Sequence, residues 1–257
     1  MLEVRNACKT YNPGTVRELS LFRNFSLTVD TGAFVSIVGS NGSGKTTLLN
    51  LICGSVPLDE GQILVDGQDV TRTREYLRSR LIGRVYQNPS AGTCGSMTIL
   101  ENMSLAEHKG KRSNLLPGTD KKRIGAYRDM LRPLNLGLEN MLEARVGSLS
   151  GGQRQALALL MSTMTPISFL ILDEHTAALD PKTADIIMQL TDRIVREKHL
   201  TAMMVTHNLR YALEYGDRLM MMHQGGVVLD RQGADKQATQ MQDILKIFNE
   251  ISIECGN

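Results

Sequence analysis

Apolar residues gather in three short runs without a charge among them: Phe34-Val35-Ser36-Ile37-Val38, Phe169-Leu170-Ile171-Leu172 and Thr201-Ala202-Met203-Met204-Val205. Short runs that do not alternate with polar residues predict strands covered on both faces, as in a parallel sheet flanked by helices. The amino-terminal part reads differently. Leu2 to Lys9 and Leu21 to Val29 read as strands joined through the turn chemistry of Asn12-Pro13-Gly14-Thr15, which predicts an antiparallel pair. Gly61 to Val65 and Ile82 to Tyr86 are further strands, with Asp66-Gly67 a tight turn after the first. At Gln87-Asn88-Pro89 the strand pattern breaks, and Ser90 to Ser96 has no strong period.

Helical spacing takes over from Thr98 to about Arg145, for example over Thr98 to Glu107 and Lys121 to Leu131, which Leu115-Leu116-Pro117-Gly118 separates. Leu157, Leu160, Met161 and Met164 then recur at i, i+3, i+4 and i+7, which predicts a helix that returns the chain to the core. Further helices are expected over Pro181 to Lys198, with proline in the first turn, and Leu209 to Tyr215. Arg218 to His223, a Gly225-Gly226 turn and Val227 to Leu229 read as a hairpin. Met241 to Ile251 places Ile244, Ile247, Phe248 and Ile251 on one helical face. No internal repeat or low-complexity segment interrupts this order. The expectation is one α/β domain over residues 1–257. Residues 1–88 and 146–257 would form its core with an antiparallel β part, and 89–145 an inserted helical lobe.

Composition sharpens the picture in three places. The chain of 257 residues is 42% hydrophobic but only 4% aromatic, with no Trp and 14 Met. Most Met sit in apolar runs such as Leu219-Met220-Met221-Met222, so they read as core rather than as metal ligands. Net charge is +2 from 29 basic and 27 acidic residues, too balanced to mark a nucleic-acid binder. Lys109, Lys111, Arg112, Lys121, Lys122 and Arg123 are the densest basic cluster and read as a solvated face, with a surface near anionic lipid as the alternative. Cys8, Cys53, Cys94 and Cys255 show no ligand or disulfide spacing and read as reduced thiols. With no signal peptide and no apolar run near a membrane span, the chain is expected to be soluble and cytosolic by itself.

The first strand run leads into Gly39-Ser40-Asn41-Gly42-Ser43-Gly44-Lys45-Thr46, followed by the helical Thr47-Leu48-Leu49-Asn50-Leu51-Ile52. This is the phosphate-loop spacing in its strand-loop-helix context. Glycines let backbone N–H groups surround a phosphate, and the following helix points its positive end inward. Lys45 would reach the β- and γ-phosphates, and the Thr46 hydroxyl would be one ligand of Mg²⁺. Tyr11, closing the first strand, offers an aromatic face for a purine whose phosphates lie in that loop; a packed surface tyrosine is the alternative.

The order of the remaining features is the informative part: Gln87, then Leu149-Ser150-Gly151-Gly152-Gln153, then Asp173-Glu174 at the end of an apolar strand, then Asp180, then His207. On these residues the chain resembles the nucleotide-binding subunit of an ATP-binding-cassette (ABC) transporter, with the family's Leu-Ser-Gly-Gly-Gln signature unchanged. The resemblance implies a phosphate-loop ATPase of the ABC fold. Asp173 would hold the Mg²⁺ shell, Glu174 would be the general base, Gln87 would contact metal or water, and His207 would hydrogen-bond the γ-phosphate. Ser150 with its glycines at a helix start is itself an anion site. In the family, two copies close head to tail over two ATP molecules, so Ser150 to Gln153 would cover the nucleotide of the partner copy, with Asp180 lying across the interface.

His175 departs from the proline most common after the catalytic glutamate in the family. With Gly92-Thr93, Thr98 to Asn102 and Leu159 to Thr163, the run Asp173 to Asp180 is similar to a bacterial subgroup of importer ATPases. Those serve a separate substrate-binding protein and a permease like those for branched-chain amino acids, aromatic amino-acid importers among them. The resemblance places the chain on the cytoplasmic face of the membrane through its permease. Met97, Ile99 and Met103, with the flexible Gly92 and Gly95, read as the surface that receives a permease helix, with packing inside the helical lobe as the alternative. An exporter ATPase, and a soluble ABC machine acting on nucleic acid or ribosomes, are the rival readings. A single cassette without a heptad insertion argues against the second.

Overall fold

The computed structural model describes residues 1–111, 118–119 and 121–254. In chain order the strands are β1 (Leu2–Tyr11), β2 (Leu19–Val29), β3 (Phe34–Gly39), β4 (Glu60–Val65), β5 (Gln68–Asp69), β6 (Ile82–Val85), β7 (Phe169–Asp173), β8 (Thr201–Val205), β9 (Arg218–His223) and β10 (Gly226–Gln232). The helices are α1 (Lys45–Cys53), α2 (Glu75–Arg78), α3 (Ile99–Glu107), α4 (Ile124–Leu131), α5 (Gly151–Ser162), α6 (Pro181–Glu197), α7 (Leu209–Glu214), α8 (Gly233–Ala238) and α9 (Met241–Glu254).

Two sheets result. One is antiparallel in the order β2-β1-β4-β5, and the other runs β10-β9-β3-β8-β7-β6. In the second, β9, β3, β8, β7 and β6 are parallel neighbours and only β10 is antiparallel. The missing alternation in the apolar runs is explained by this central sheet, which has an apolar layer on each face. Phe34, Leu170, Leu172, Ala202 and Met204 face a core built with α3, α4, α5 and α6. Val35, Ile37, Phe169, Ile171, Met203 and Val205 face one shared with α1 and the antiparallel sheet. Met203, Met204, Met220 and Met222 are buried in these layers and Met221 in a third cluster with Leu219 and Ile244, as the apolar runs predict.

Local chemistry sets the helix starts. Thr98 and Glu101 form a reciprocal capping box on α3, and Asp180 caps α6 with Pro181 as its first residue. Some boundaries move. The helix expected to carry Met164 stops at Ser162, where the Thr163 hydroxyl bonds back to the carbonyls of Leu159 and Leu160. The last hairpin turns at Gln224-Gly225, both at positive φ, rather than at Gly225-Gly226, and β10 extends to Gln232. Arg112, Leu115 to Pro117 and Cys255 lie outside the described residues. Among the described residues no helix is long and apolar enough to cross a membrane.

Candidate active site

Because β3, β6, β7 and β8 run parallel, their carboxyl ends open on one edge of the sheet, where α/β proteins place ligands. Gly39 ends β3, Asp173 ends β7, and Gln87 and His207 follow shortly after β6 and β8. The glycine loop is wedged rather than free. A Cβ on Gly39 would lie 2.2 Å from the Met222 carbonyl oxygen, and Gly44, at φ 102, caps α1. From behind, the Gly225 N–H donates to the Ser43 carbonyl at 3.0 Å, so the turn between β9 and β10 latches the loop.

Lys45 is 5% exposed, and its Nζ donates to the carbonyls of Gly39 (2.8 Å) and Ser40 (2.9 Å) and to Ser43 Oγ (3.4 Å). Burial lowers its pKa, and nearby Glu174 opposes the shift. A cleft of about 250 Å³ brings together Tyr11, Asn41, Gly42, Ser43, Gly44, Lys45, Thr46, Thr47, Glu174 and His207. Tyr11 stays beside the loop despite the Asn12 to Glu18 excursion: its hydroxyl donates to Thr47 Oγ1 at 3.4 Å. Glu174 sits in the left-handed region at φ 48, an uncommon conformation for a non-glycine residue. Its N–H donates to the Val205 carbonyl, and its Oε1 lies 2.7 Å from His207 Nε2.

His175, the departure from the family pattern, is buried away from the cleft. Its Nε2 is 3.0 Å from Thr191 Oγ1, and burial pushes the imidazole down to about 4, so it is neutral and ties the Glu174 loop to α6.

Ser150, Gly151, Gly152, Gln153, Asp180 and the exposed Gln87 do not line this cleft. Ser150 and Gln153 form a second reciprocal capping box, which leaves the Gly151 and Gly152 N–H groups at the head of α5. Gly152 also has a packing reason to be glycine, since a Cβ there would come 2.3 Å from Thr183 Cγ2. The Asp180 carboxylate accepts from Thr183 N–H, and the Thr183 side chain together with that backbone bond lowers its pKa.

Of the three residues expected to meet a permease helix, Met97 is half-buried and the other two turn inward. Ile99 and Met103 are fully buried in the helical core, because helical spacing alone does not say which face turns inward. The open feature is a neighbouring groove of about 550 Å³ lined by Gly92, Thr93, Cys94, Leu105, Ala106, Lys109, Ala158 and Met161, with Leu105 61% exposed.

Thr46, Asp173 and Gln87 offer a hydroxyl, a carboxylate and an amide, the hard oxygen donors that Mg²⁺ takes. Among the described residues no group of three or more His, Cys, Asp or Glu could hold a metal, so a cation at this edge would depend on phosphate oxygens and water. Arg84, which no motif singles out, donates to Asp173 Oδ2 at 2.7 Å. Its signal was present: a lone charge inside the apolar Ile82 to Tyr86 strand.

The profile of the ABC transporter family matches residues 22–177, across the glycine loop, the Leu149 to Gln153 signature and Asp173-Glu174. The chain belongs to the ABC transporter family. The chain is similar to a tyrosine transport ATP-binding protein of Clostridioides difficile (strain R20291), 47% identical over 248 residues, which cover 96% of this chain and 98% of that one. A spermidine/putrescine import ATP-binding protein of Haemophilus influenzae is 32% identical over 90% of this chain, which spans only 57% of that longer relative. Among solved structures, a dimeric, post-hydrolysis ATP-binding cassette bound to ADP and Pi matches with a TM-score of 0.76 and 29% identity, over 90% of this chain and 98% of that one. The ABC fold, with its antiparallel sheet and helical subdomain, is thus that of an ATP-hydrolysing nucleotide-binding subunit.

Proposed function

We propose that the chain is the ATPase motor of an importer of an amino acid, tyrosine or a close aromatic analogue. The motor half is carried by one observation: Lys45, Glu174 and His207 meet in a cleft that Tyr11 borders. The solute is supported by the tyrosine transport relative and import by the import-type relatives, since the solute itself never touches this subunit.

In this reading Lys45 exchanges its loop carbonyls for phosphate oxygens, and Tyr11 stacks on the purine while Gly39 to Thr47 wrap the phosphates. Glu174 polarises the attacking water as general base, and His207 turns from Glu174 to donate to the γ-phosphate. Thr46, Asp173 and Gln87 would hold Mg²⁺, which when bound neutralises charge between the β- and γ-phosphates. Ser150 to Gln153 serve the nucleotide of a second, head-to-tail copy, with Asp180 beside that interface. Residues 1–88 and 146–257 act as the nucleotide-binding core, and 89–145 as the helical lobe. The Leu105 groove takes a short permease helix, which holds the chain on the cytoplasmic face of the membrane. A separate substrate-binding protein delivers the solute, and nucleic acid has no part.

The test is uptake of labelled tyrosine in cells deleted for this chain. Uptake should fall to background and return with the wild-type chain but not with Glu174→Gln. Normal uptake with impaired efflux would overturn the proposal.

A further inference from the structure

We propose that Arg84 is a positioning residue that registers the three oxygen donors of the metal site against one another; the inference rests on the assignment of Thr46, Asp173 and Gln87 to Mg²⁺ given above. Its guanidinium sits on β6, 11% exposed, against an Asp173 side chain that is 14% exposed. One arm, Nη2, donates to Asp173 Oδ2 at 2.7 Å. The other, Nη1, donates to Asn50 Oδ1 at 2.9 Å. The plane packs on Tyr86, with 4.7 Å from the guanidinium carbon to the ring centre.

Each of these contacts adjoins one donor. Asn50 follows Thr46 by four positions on α1 and so lies on the same helical face. Asp173 is touched directly through one oxygen, which leaves Oδ1 for a cation. Tyr86 is the residue before Gln87. A rigid planar fork suits this task in a way that a flexible ammonium does not. Stability is a poor explanation for the arrangement. A buried ion pair is close to neutral once desolvation is counted, and Arg84 Nε is buried with no partner among the described residues.

The informative variant is Arg84→Lys. It keeps a positive charge at this position, so the variant removes the fork and the stacking rather than the cation. Affinity of a fluorescent ATP analogue for the purified chain is measured in EDTA and through a Mg²⁺ titration, alongside the Mg²⁺ dependence of ATPase. Binding in EDTA should match wild type, while half-saturating Mg²⁺ rises about tenfold by both readouts, the usual cost of losing an outer-shell partner. Asn50→Leu should shift the titration in the same direction by less, and add little to Arg84→Lys because the two share one fork. If Arg84→Lys lowers the melting temperature but leaves the Mg²⁺ titration in place, the residue is a strut and the inference falls. Asp173→Asn separates the two levels. Should it retain the wild-type Mg²⁺ response, the metal assignment falls and takes the inference with it; should it lose that response while Arg84→Lys keeps it, only the role of Arg84 is overturned.

Discussion

Glu174 Oε1 and His207 Nε2 lie 2.7 Å apart, a contact that brings the loop after β7 against the loop after β8. In the proposed mechanism His207 turns from this contact to the γ-phosphate while Glu174 keeps a free oxygen for the water. Glu174→Gln should keep ATP binding and lose hydrolysis by a factor on the order of 10² to 10⁴, the worth of a positioned base. Single-turnover ATPase together with nucleotide titration checks this, and near-normal turnover would remove Glu174 from the role.

The Gly151 and Gly152 N–H groups at the head of α5 do not line the cleft that holds Lys45. If a second copy supplies them, Lys45→Ala and Ser150→Arg chains should each be inactive alone and regain activity when mixed, since a mixed pair keeps one intact composite site. Failure of the mixture to recover any ATPase counts against the head-to-tail arrangement.

Gly152 meets Thr183 across the contact of α5 with α6. Gly152→Ala should therefore destabilise the fold by about 1–3 kcal/mol, the usual cost of overpacking. Adding Thr183→Ser, which deletes the clashing methyl, should return most of it. Thermal melts of the three variants decide; an unchanged melting temperature in Gly152→Ala would show that α6 shifts freely.

Leu105 and Met103 lie close together on α3 with opposite fates, 61% exposed and fully buried respectively. Leu105→Asp should leave folding and basal ATPase intact while tyrosine uptake is lost. Met103→Asp should unfold the subunit by placing a charge in the core. Uptake that survives Leu105→Asp would move the permease contact elsewhere.

Asp217 accepts from the Phe34 N–H at 3.0 Å and from Arg196 at 2.8 Å. Burial works to raise its pKa, but Arg196 and the Phe34 amide outweigh it and hold the carboxyl below its ordinary range. A lowered folded-state pKa means stabilisation that is complete above the unfolded value of about 4 and lost as pH falls through the folded one. Asp217→Asn should therefore be less stable at neutral pH and show a flatter loss of stability below about pH 4. Parallel acid limbs for the two proteins would contradict this linkage.

What the sequence made legible was chemistry confined to a few neighbouring residues. The glycine loop, the buried strand ending in Asp173-Glu174, the helix start at Ser150 and the proline-led start of α6 all follow from local spacing. What it hid depended on partners far along the chain. Arg84 takes its meaning from Asn50 and Asp173, 34 and 89 residues away. Gly152 has a packing reason to be glycine that shows only once Thr183 is placed beside it. Ile99 and Met103 share a helix with the exposed Leu105, and only the position of α5 decides which side is core.

The latch from Gly225 to Ser43 also has a consequence for synthesis. β3 needs β8 on one side and β9 on the other, so the loop that follows it is encoded early and finished late. A nascent chain that has emerged only as far as α6 carries every residue of Gly39 to Thr46 but neither the flanking strands nor the clasp behind them. Contacts of such long sequence separation form slowly. The loop is therefore held in its final shape only after β8, β9 and the turn that follows β9 have been made, long after its own residues have left the ribosome.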